Sequence, residues 1–451
     1  MKIKFLGATG TVTGSKYLLT HNRKKILVDC GLFQGLKKLR LRNWGEFPVN
    51  IGEISAIILT HAHIDHSGYV PRLYREGFRG KIYTTPGTRE LCKILLPDSG
   101  FLMEEEAMYA NKKGFSKHKP ALPLFTIEDA RDSLSHFRSV PFNKKFELGD
   151  GLSFEFKNAG HILGSAHLII TDGNKSITFS GDIGRSNDPL LLPPEPPSET
   201  DYLVIESTYG NRIHSDLDPA EELLRVVERT IKRGGTVLIP AFAVGRSQAI
   251  LYYLSKLKQQ NKLPDVPIFL NSPMAQDVTD LYCHYGSNQK LSSEELQTVC
   301  YLADYVTSAD DSKKLNYDVS PKIIISASGM ITGGRVVHHL KAFGPDEKST
   351  ILFTGYQATG TRGQAILSGK KSIKIHGEYI EINAEVAYLD SLSAHADQKE
   401  LLEWAKKFKT PPQKTFITHG EEQSSEVLKE LLISELDLDC VKPQYLDEFE
   451  L

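Results

Sequence analysis

The chain is poor in cysteine and has no long apolar run. Its five cysteines (Cys30, Cys92, Cys283, Cys300 and Cys440) are odd in number, widely scattered and never spaced as CxxC. This pattern argues against a disulfide framework and against thiolate metal ligands, and it predicts a reducing, cytoplasmic compartment. No apolar stretch is long enough to cross a membrane. Residues 1–7 are too short and too charged for a signal peptide, and they are expected to form an edge strand.

An excess of basic residues is also missing. The 451 residues carry a formal net charge of -2, with 24% charged and 40% hydrophobic residues, as in an ordinary soluble protein. A protein that binds nucleic acid through a broad basic surface is usually more positive. A polyanion would therefore have to be held in a local basic cleft or by metal ions. Internal repeats and low-complexity tracts are absent too, so the length predicts two or three ordinary domains.

Strand-like runs dominate the first part of the chain, whereas strands and helices alternate after residue 209. Strands separated by helices of this length predict a parallel α/β sheet. The last stretch holds two further histidines of interest, which fit a site only if the chain returns to the first domain. We therefore expect residues 1–208 and 388–451 to form one domain, with residues 209–387 inserted as a second.

The most informative feature of the sequence is the run HAHIDH at residues 61–66, which follows a strand-like run at 56–60. Imidazole and carboxylate together suit zinc. Three histidines at alternating and adjacent positions cannot all face one way on a strand or helix, so the run is expected to be a loop folded around something. It offers more donors than one tetrahedral site needs, which indicates two metal ions. The alternative is a polar loop that happens to be rich in histidine.

Further donors lie at the ends of predicted strands. His161 stands between glycines after a strand, Asp182 ends another strand, and Asp29 ends an earlier one. Taken singly, each is equally typical of a tight turn or a cap. Together with the 61–66 run they point to a hydrolytic metal site, in which Asp182 is the natural candidate to bridge two metals.

The order of these motifs resembles the metallo-β-lactamase superfamily. Residues 204–210 (VIESTYG), 393–397 (SAHAD) and 418–421 (THGE) resemble the three additional motifs of the β-CASP nucleases, and so do 239–248 (IPAFAVGRSQ) and 326–335 (SASGMITGGR). The match covers nearly the whole chain. It is nearest in character to bacterial and archaeal proteins similar to the endonuclease subunit of the cleavage and polyadenylation specificity factor, whereas RNase J is a less close relative. We expect neither a KH-type domain before Met1 nor an extended C-terminal domain of the RNase J kind.

The resemblance implies a fold and a ligand set. The fold would be a metallo-β-lactamase αββα sandwich with an inserted β-CASP α/β domain, and the cofactor would be two Zn²⁺ per chain. One zinc would be held by His61, His63 and His161. The other would be held by Asp65, His66 and His419, with Asp182 bridging.

The resemblance also implies roles around the metals. His395 would be the general acid, and Glu206 would fix its tautomer; Asp65 is counted among the catalytic residues as well as the ligands. Asp29 would orient the ligand loop without binding metal. The family places no ligand at His167, for which a structural role is expected. The remaining histidines considered are assigned to the surface or to packing: His118, His136, His214, His338, His339 and His376.

Two loops of the inserted domain, residues 327–335 and 354–363, are dense in Gly, Ser and Thr. Such backbones can present N–H groups to phosphate, particularly at a helix start. Candidate substrate-binding residues there and nearby are Arg246, Ser328, Arg335 and Arg362, whose polar groups could contact phosphate. The alternative for each is an ordinary tight turn between strand and helix.

The function that follows is zinc-dependent hydrolysis of phosphodiester bonds in single-stranded RNA, endonucleolytic and in RNA processing or decay. His419 favours RNA, because among β-CASP proteins a histidine at this motif accompanies the RNA-acting branches. The alternatives are a DNA nuclease, a non-catalytic RNA-processing scaffold and a small-molecule hydrolase. The intact donor set argues against the scaffold, and the long insertion argues against the small-molecule enzyme. The expected partner is single-stranded RNA, with no membrane; a homodimer is left open.

Overall fold

A computed structural model of the chain describes residues 1–114, 116–286 and 289–451. The chain forms two compact units. Unit 1 comprises Met1–Ile213 and His395–Leu451, and unit 2 comprises His214–Ala394. The two junctions lie five and seven residues after the expected domain limits at 208 and 387.

The first segment of unit 1 contains the strands β1 (Lys2–Phe5), β2 (Tyr17–His21), β3 (Lys24–Val28), β4 (Ile54–Ile58), β5 (Lys81–Thr84), β6 (Phe137–Ser139), β7 (Phe146–Gly149), β8 (Leu152–Asn158), β9 (Ala166–Thr171), β10 (Ser176–Phe179) and β11 (Tyr202–Glu206). Its helices are α1 (Lys37–Arg40), α2 (Ile64–Ser67), α3 (Val70–Arg75), α4 (Pro86–Lys113) and α5 (Ile127–Ser133). Short 3-10 turns occupy Leu41–Asn43, Ile51–Glu53 and Leu134–His136.

Unit 2 contains α6 (Pro219–Lys232), β12 (Thr236–Pro240), α7 (Arg246–Gln259), β13 (Ile268–Leu270), α8 (Pro273–Tyr285), α9 (Ser293–Cys300), β14 (Asp304–Tyr305), α10 (Ala309–Tyr317), β15 (Lys322–Ser326), α11 (Val336–Phe343), β16 (Thr350–Phe353), α12 (Arg362–Leu367), β17 (Ser372–Ile375), β18 (Glu378–Glu381) and β19 (Glu385–Tyr388). The chain then re-enters unit 1 with α13 (Gln398–Ala405), β20 (Lys414–Thr418), α14 (Glu422–Leu436), β21 (Cys440–Val441) and β22 (Glu448–Glu450).

Unit 1 is a sandwich of two mixed sheets. One has the strand order β22-β1-β2-β3-β4-β5-β6, and the other has the order β21-β20-β11-β10-β9-β8-β7. Alternate side chains of both sheets, such as Phe5, Val28, Phe154 and Phe179, form one buried core. Helices α13 and α14 pack on the opposite face of the second sheet through a separate apolar cluster around Trp404. The predicted αββα architecture is confirmed.

The prediction of an edge strand at the N-terminus is wrong. Residues 2–5 do form strand β1, but β22 pairs outside it, with Lys2 opposite Glu450 and Lys4 opposite Glu448. The returning segment thus covers the edge that would otherwise be open.

Unit 2 contains a six-stranded sheet of order β14-β13-β15-β12-β16-β19, in which every pairing is parallel. Its central strands are buried along their whole length, as parallel strands covered on both faces should be. Helices α6, α7 and α8 contribute to the core on one face, and α11 and α12 contribute to the core on the other. The expected parallel α/β insertion is confirmed.

One pair of cysteines departs from the expectation of no disulfides. Cys283 on α8 and Cys300 on α9 are bonded, with their Cα atoms 6.5 Å apart, whereas Cys30, Cys92 and Cys440 are free. The sequence has no spacing signal for this pair, because two packed helices bring the residues together. No described helix combines the length and the apolar character that a membrane crossing requires.

Candidate metal centre

The 61–66 loop is held in shape by backbone hydrogen bonds from two other segments. The N–H groups of Ser15, Cys30 and Leu32 donate to the carbonyls of Asp65 (2.9 Å), His66 (2.7 Å) and Ile64 (2.9 Å). Gly31 lies between two of these donors, and a Cβ at this position would sit 1.5 Å from the Asp65 carbonyl oxygen. The close approach therefore requires glycine, and it fixes the loop before any metal is considered.

Asp29 orients this loop from beneath. It is buried, with φ 55°, and its carboxylate accepts the Thr60 N–H at 2.8 Å and the Thr60 hydroxyl. The Nδ1–H of His66 donates to it at 2.8 Å. Since the Thr60 proton points to Asp29, the Thr60 oxygen accepts from Nδ1 of His61 at 3.1 Å. Both rings thus turn Nε2 toward the centre of the site.

Asp182 stands at that centre with a different set of histidines on each oxygen. Its Oδ2 lies 3.4 Å from Nε2 of His61 and 3.6 Å from Nε2 of His161. Its Oδ1 lies 3.3 Å from Nε2 of His66 and 3.6 Å from Nδ1 of His419. One buried carboxylate therefore faces two groups of nitrogens at once.

The donors fall into two sets, each with ligand atoms within 4.8 Å of one another. The sets are His61, His63, His161 and Asp182, and Asp65, His66 and His419. Nε2 of His161 is 3.2 Å from Nδ1 of His63, and Nε2 of His419 is 3.0 Å from Nε2 of His66 and 3.4 Å from Asp65. Tetrahedral zinc with bonds of about 2.1 Å separates neighbouring donors by roughly 3.4 Å. Both sets therefore fit a zinc ion without rearrangement.

The protonation states also suit metal binding. Burial lowers the pKa of His61 to about 3 and of His63 to about 4, so these rings are neutral and keep a free lone pair. Burial raises the pKa of Asp182, but the charges of His419 and His66 outweigh it and hold the group ionised. Nε2 of His61 and Oδ1 of Asp182 are buried without a well-formed hydrogen bond. Atoms of this kind, packed lone pair to lone pair, call for a cation between them.

His66 differs from the other rings. Burial lowers its pKa, but the carboxylates of Asp182 and Asp29 outweigh burial and raise it well above the ordinary value. Without metal this ring carries a proton that a metal would displace, so binding at the second set releases a proton.

His395 and Glu206 form a pair beside the metal donors. Nδ1 of His395 lies 3.3 and 3.4 Å from the two Glu206 oxygens, and Glu206 also accepts the Ile183 N–H at 2.6 Å. Desolvation lowers the pKa of His395, but the Glu206 carboxylate outweighs it and raises the pKa. The His395 side chain is 17% exposed, against 2% for Asp182. A protonated ring thus lies at the accessible side of the site.

The His395 segment is held to the Asp182 segment by a carboxylate that sequence reasoning missed. His395 pairs with Gly184 in an isolated β-bridge. Glu400 accepts from the Ser186 N–H (3.2 Å) and hydroxyl (3.0 Å), pairs with Nε of Arg185 at 2.7 Å, and accepts the Asp397 N–H at 3.1 Å. The D-x-x-E spacing at 397–400, a helix capping box, was the available signal.

His419 is positioned by its backbone and by a second residue that sequence reasoning missed. It has φ 49°, and its N–H donates to the Ala8 carbonyl at 2.8 Å. The Thr208 hydroxyl donates to the His419 carbonyl, so its oxygen accepts from Nδ1 at 3.2 Å. This arrangement leaves Nε2 for the metal side.

The candidate substrate-binding residues lie in unit 2 and are engaged within it. The Arg335 guanidinium donates to Asn271 Oδ1 and the Val306 carbonyl, each at 2.7 Å, and to the Thr307 carbonyl. Arg362 donates to the carbonyls of Ile331 (3.1 Å), Thr332 (3.0 Å) and Lys374 (3.2 Å). The Ser328 hydroxyl accepts N–H groups of Thr332 and Gly333, and Arg246 is buried. These contacts brace the 327–335 loop, and phosphate binding by the four residues stays a prediction.

Histidines outside the donor sets are accounted for by packing where they are buried. His167 is buried with its ring 5.5 Å from that of Trp404. Burial lowers its pKa to about 3. His339 lies between Asn271 and Asn316, at 2.6 Å from each. Neither falls in a metal-donor set among the described residues.

Comparison with known proteins matches this architecture. The family model of the metallo-beta-lactamase superfamily matches residues 9–240, that of the Beta-Casp domain matches 247–366, and that of the Zn-dependent metallo-hydrolase RNA specificity domain matches 379–443. The chain is a beta-CASP member of the metallo-beta-lactamase superfamily. The predicted family and its metal-dependent hydrolase character are thereby confirmed.

Relatives of this family resemble the chain along most of its length. Ribonuclease TTHA0252 of Thermus thermophilus is 36% identical over 442 residues, which cover 96% of each chain. Transcription termination factor FttA of Methanocaldococcus jannaschii is 34% identical over 94% of this chain and 67% of its own. A solved protein of unknown function from Enterococcus faecalis V583 shares the fold, with a TM-score of 0.53 at 15% identity and coverage of 100% and 99%.

Proposed function

We propose that this beta-CASP protein is a zinc-dependent ribonuclease that cuts single-stranded RNA internally, in RNA processing or decay. The observation that carries the proposal is Asp182, whose two oxygens face two separate sets of buried imidazoles. A similar relative is named a ribonuclease, and the match to an RNA specificity domain supports the same substrate class.

We assign two zinc ions per chain to the two donor sets. His61, His63 and His161 would hold one ion; Asp65, His66 and His419 would hold the other; and Asp182 would bridge them. When bound, such a pair makes hydroxide available at neutral pH and neutralises charge that builds up on the phosphate. Asp29, Thr60 and Thr208 would hold the rings in the tautomers that this binding needs.

His395 is proposed to protonate the leaving oxygen. Since Glu206 faces its Nδ1, the proton to be transferred is on Nε2, and the carboxylate stabilises the charged ring before transfer. Water supplies the attacking oxygen, which ends on the 5′-phosphate, while the departing 3′-oxygen takes the His395 proton. Hydrolysis would therefore leave a 5′-phosphate and a 3′-hydroxyl. A catalytic role of Asp65 beyond metal binding stays a prediction.

RNA rather than DNA rests on family resemblance, including His419, and not on a contact with the 2′-hydroxyl. A DNA nuclease is the main alternative. A non-catalytic scaffold is disfavoured by the complete donor sets and by the charged His395–Glu206 pair. A cytoplasmic location stays a prediction from the cysteine pattern, and self-association is treated below.

The test uses RNA and DNA oligonucleotides of one sequence, single- and double-stranded, incubated with zinc-loaded protein, followed by sequencing of the fragment ends. We expect the single-stranded RNA to be cut, with the ends given above. The His395→Ala variant is the matched control for contaminating nucleases. Equal or faster cleavage of the DNA would refute the RNA assignment, and an inactive protein that still holds two zinc ions would favour the scaffold.

A further inference from the structure

The outer part of helix α4 in unit 1 exposes an unusual number of large apolar side chains. Phe101 is 49% exposed, Leu102 45%, Met108 58% and Tyr109 40%. Leu122 is 60% exposed, and its segment is tied to the same helix by paired hydrogen bonds between Asn111 and Ala121. A contiguous apolar patch of this kind on a soluble protein generally marks a contact site.

The four helical residues share one face. With about 100° of rotation per residue, Phe101, Leu102, Met108 and Tyr109 fall within about 120° of one another. The small buried residues Gly100, Ala107 and Ala110 lie on the opposite side. The helix therefore already packs through one face, and the apolar stripe points away from unit 1.

Two opposite charges lie within the stripe. Glu105 and Lys112 are exposed and share the face of Phe101 and Met108, and neither forms an ion pair within the described parts of the chain. They are seven residues apart, or about 10 Å along the axis. If a second α4 lies antiparallel about a twofold axis between Met108 and Tyr109, each Glu105 meets the Lys112 of the other copy.

We propose that the occupant of this face is a second copy of the same chain. The apolar residues then pack in the middle of a symmetric contact, as an isologous interface requires, and two ion pairs flank them. Three consecutive glutamates, Glu104 to Glu106, border the stripe and disfavour a polyanion such as RNA. The proposal is independent of the catalytic assignment, because these residues lie outside both donor sets.

A contact of two short helical faces is small, so we expect a weak dimer that forms at roughly micromolar concentrations. Sedimentation equilibrium of the full chain at tens of micromolar should show dimers that weaken in high salt. Glu105→Lys and Lys112→Glu should each shift the protein to monomer, and the double variant should restore dimers by exchanging the charges. Glu106→Lys makes the same change in charge about 100° off the position of Glu105 and should leave the dimer intact.

Restoration by the double variant distinguishes the proposed pairing from a loss of folding. A wild-type protein that stays monomeric throughout this range would overturn the proposal. So would single variants that remain dimeric, because the dimer would then use another surface. Monomeric wild type combined with loss of RNA cleavage in Met108→Asp would instead assign the face to substrate.

Discussion

Lys16 offers the most quantitative test of how the core beneath the metal donors is built. It is a buried lysine whose Nζ donates to the Gly31 carbonyl and lies 4.5 Å from the Phe33 ring centroid and 4.9 Å from that of Tyr69. Gly31 is the residue against which the ligand loop packs. The charge thus has one carbonyl and two aromatic faces but no carboxylate among its printed contacts.

Burial lowers the pKa of Lys16 from an ordinary 10.5 to about 8. The unfolded chain therefore keeps its proton between pH 8 and 10.5, while the folded chain has lost it, so stability rises with pH across this interval. At about 1.4 kcal/mol per pH unit, the difference amounts to about 3.4 kcal/mol. About 2.5 kcal/mol of this falls between pH 7 and pH 10.

The experiment compares urea unfolding of wild type and Lys16→Met at pH 7 to 10. The two tryptophans of the chain, Trp44 and Trp404, both belong to unit 1, so their fluorescence reports on the relevant unit. The free energy of unfolding of the variant minus that of wild type should fall by about 2.5 kcal/mol over this range. Lys38→Met, at an exposed lysine on α1, is the matched control.

The result that would refute this reasoning is a difference that stays flat or grows with pH. The carbonyl and the two rings favour the charged amine, and cation–π contacts in a desolvated site reach about 2 kcal/mol each. A flat difference would mean that these contacts balance burial, and a rising one would mean that they exceed it.

Four further predictions concern the site. Asp182→Ala should lower zinc content at both sets, whereas His161→Ala should mainly empty one; elemental analysis decides, and full activity with one zinc or none in wild type would refute the two-metal assignment. His395→Ala should keep its zinc and lose roughly 10²–10⁴-fold in kcat, less with a better leaving group, whereas loss of zinc would make His395 a ligand. Glu206→Gln removes the charge that raises the His395 pKa, so the alkaline fall of the pH–rate profile should move to lower pH; an unmoved profile contradicts the pairing. Glu400→Ala should lower kcat at unchanged zinc content, and it should add nothing to His395→Ala if it acts only by holding that ring.

The sequence by itself determined the kinds of chemistry available and the family. Histidines and carboxylates in a short run, followed by single donors at strand ends, are local patterns, and their residue types restrict the metal to one that accepts nitrogen and oxygen. The alternation of strands and helices after residue 209 likewise determined a parallel inserted sheet, because that pattern is a property of neighbouring residues along the chain.

Only the tertiary structure decided how those residues are used. That the two oxygens of Asp182 face different histidines depends on segments far apart in sequence meeting at one point. The same holds for the Cys283–Cys300 bond, and for Arg335, whose guanidinium is taken up by carbonyls of its own unit. Thr208 and Glu400 look ordinary in sequence and act only through neighbours brought to them by folding. Hydrogen bonds and metal bonds extend about 3 Å or less, so their partners are set by three-dimensional position, which residue type and spacing alone do not specify.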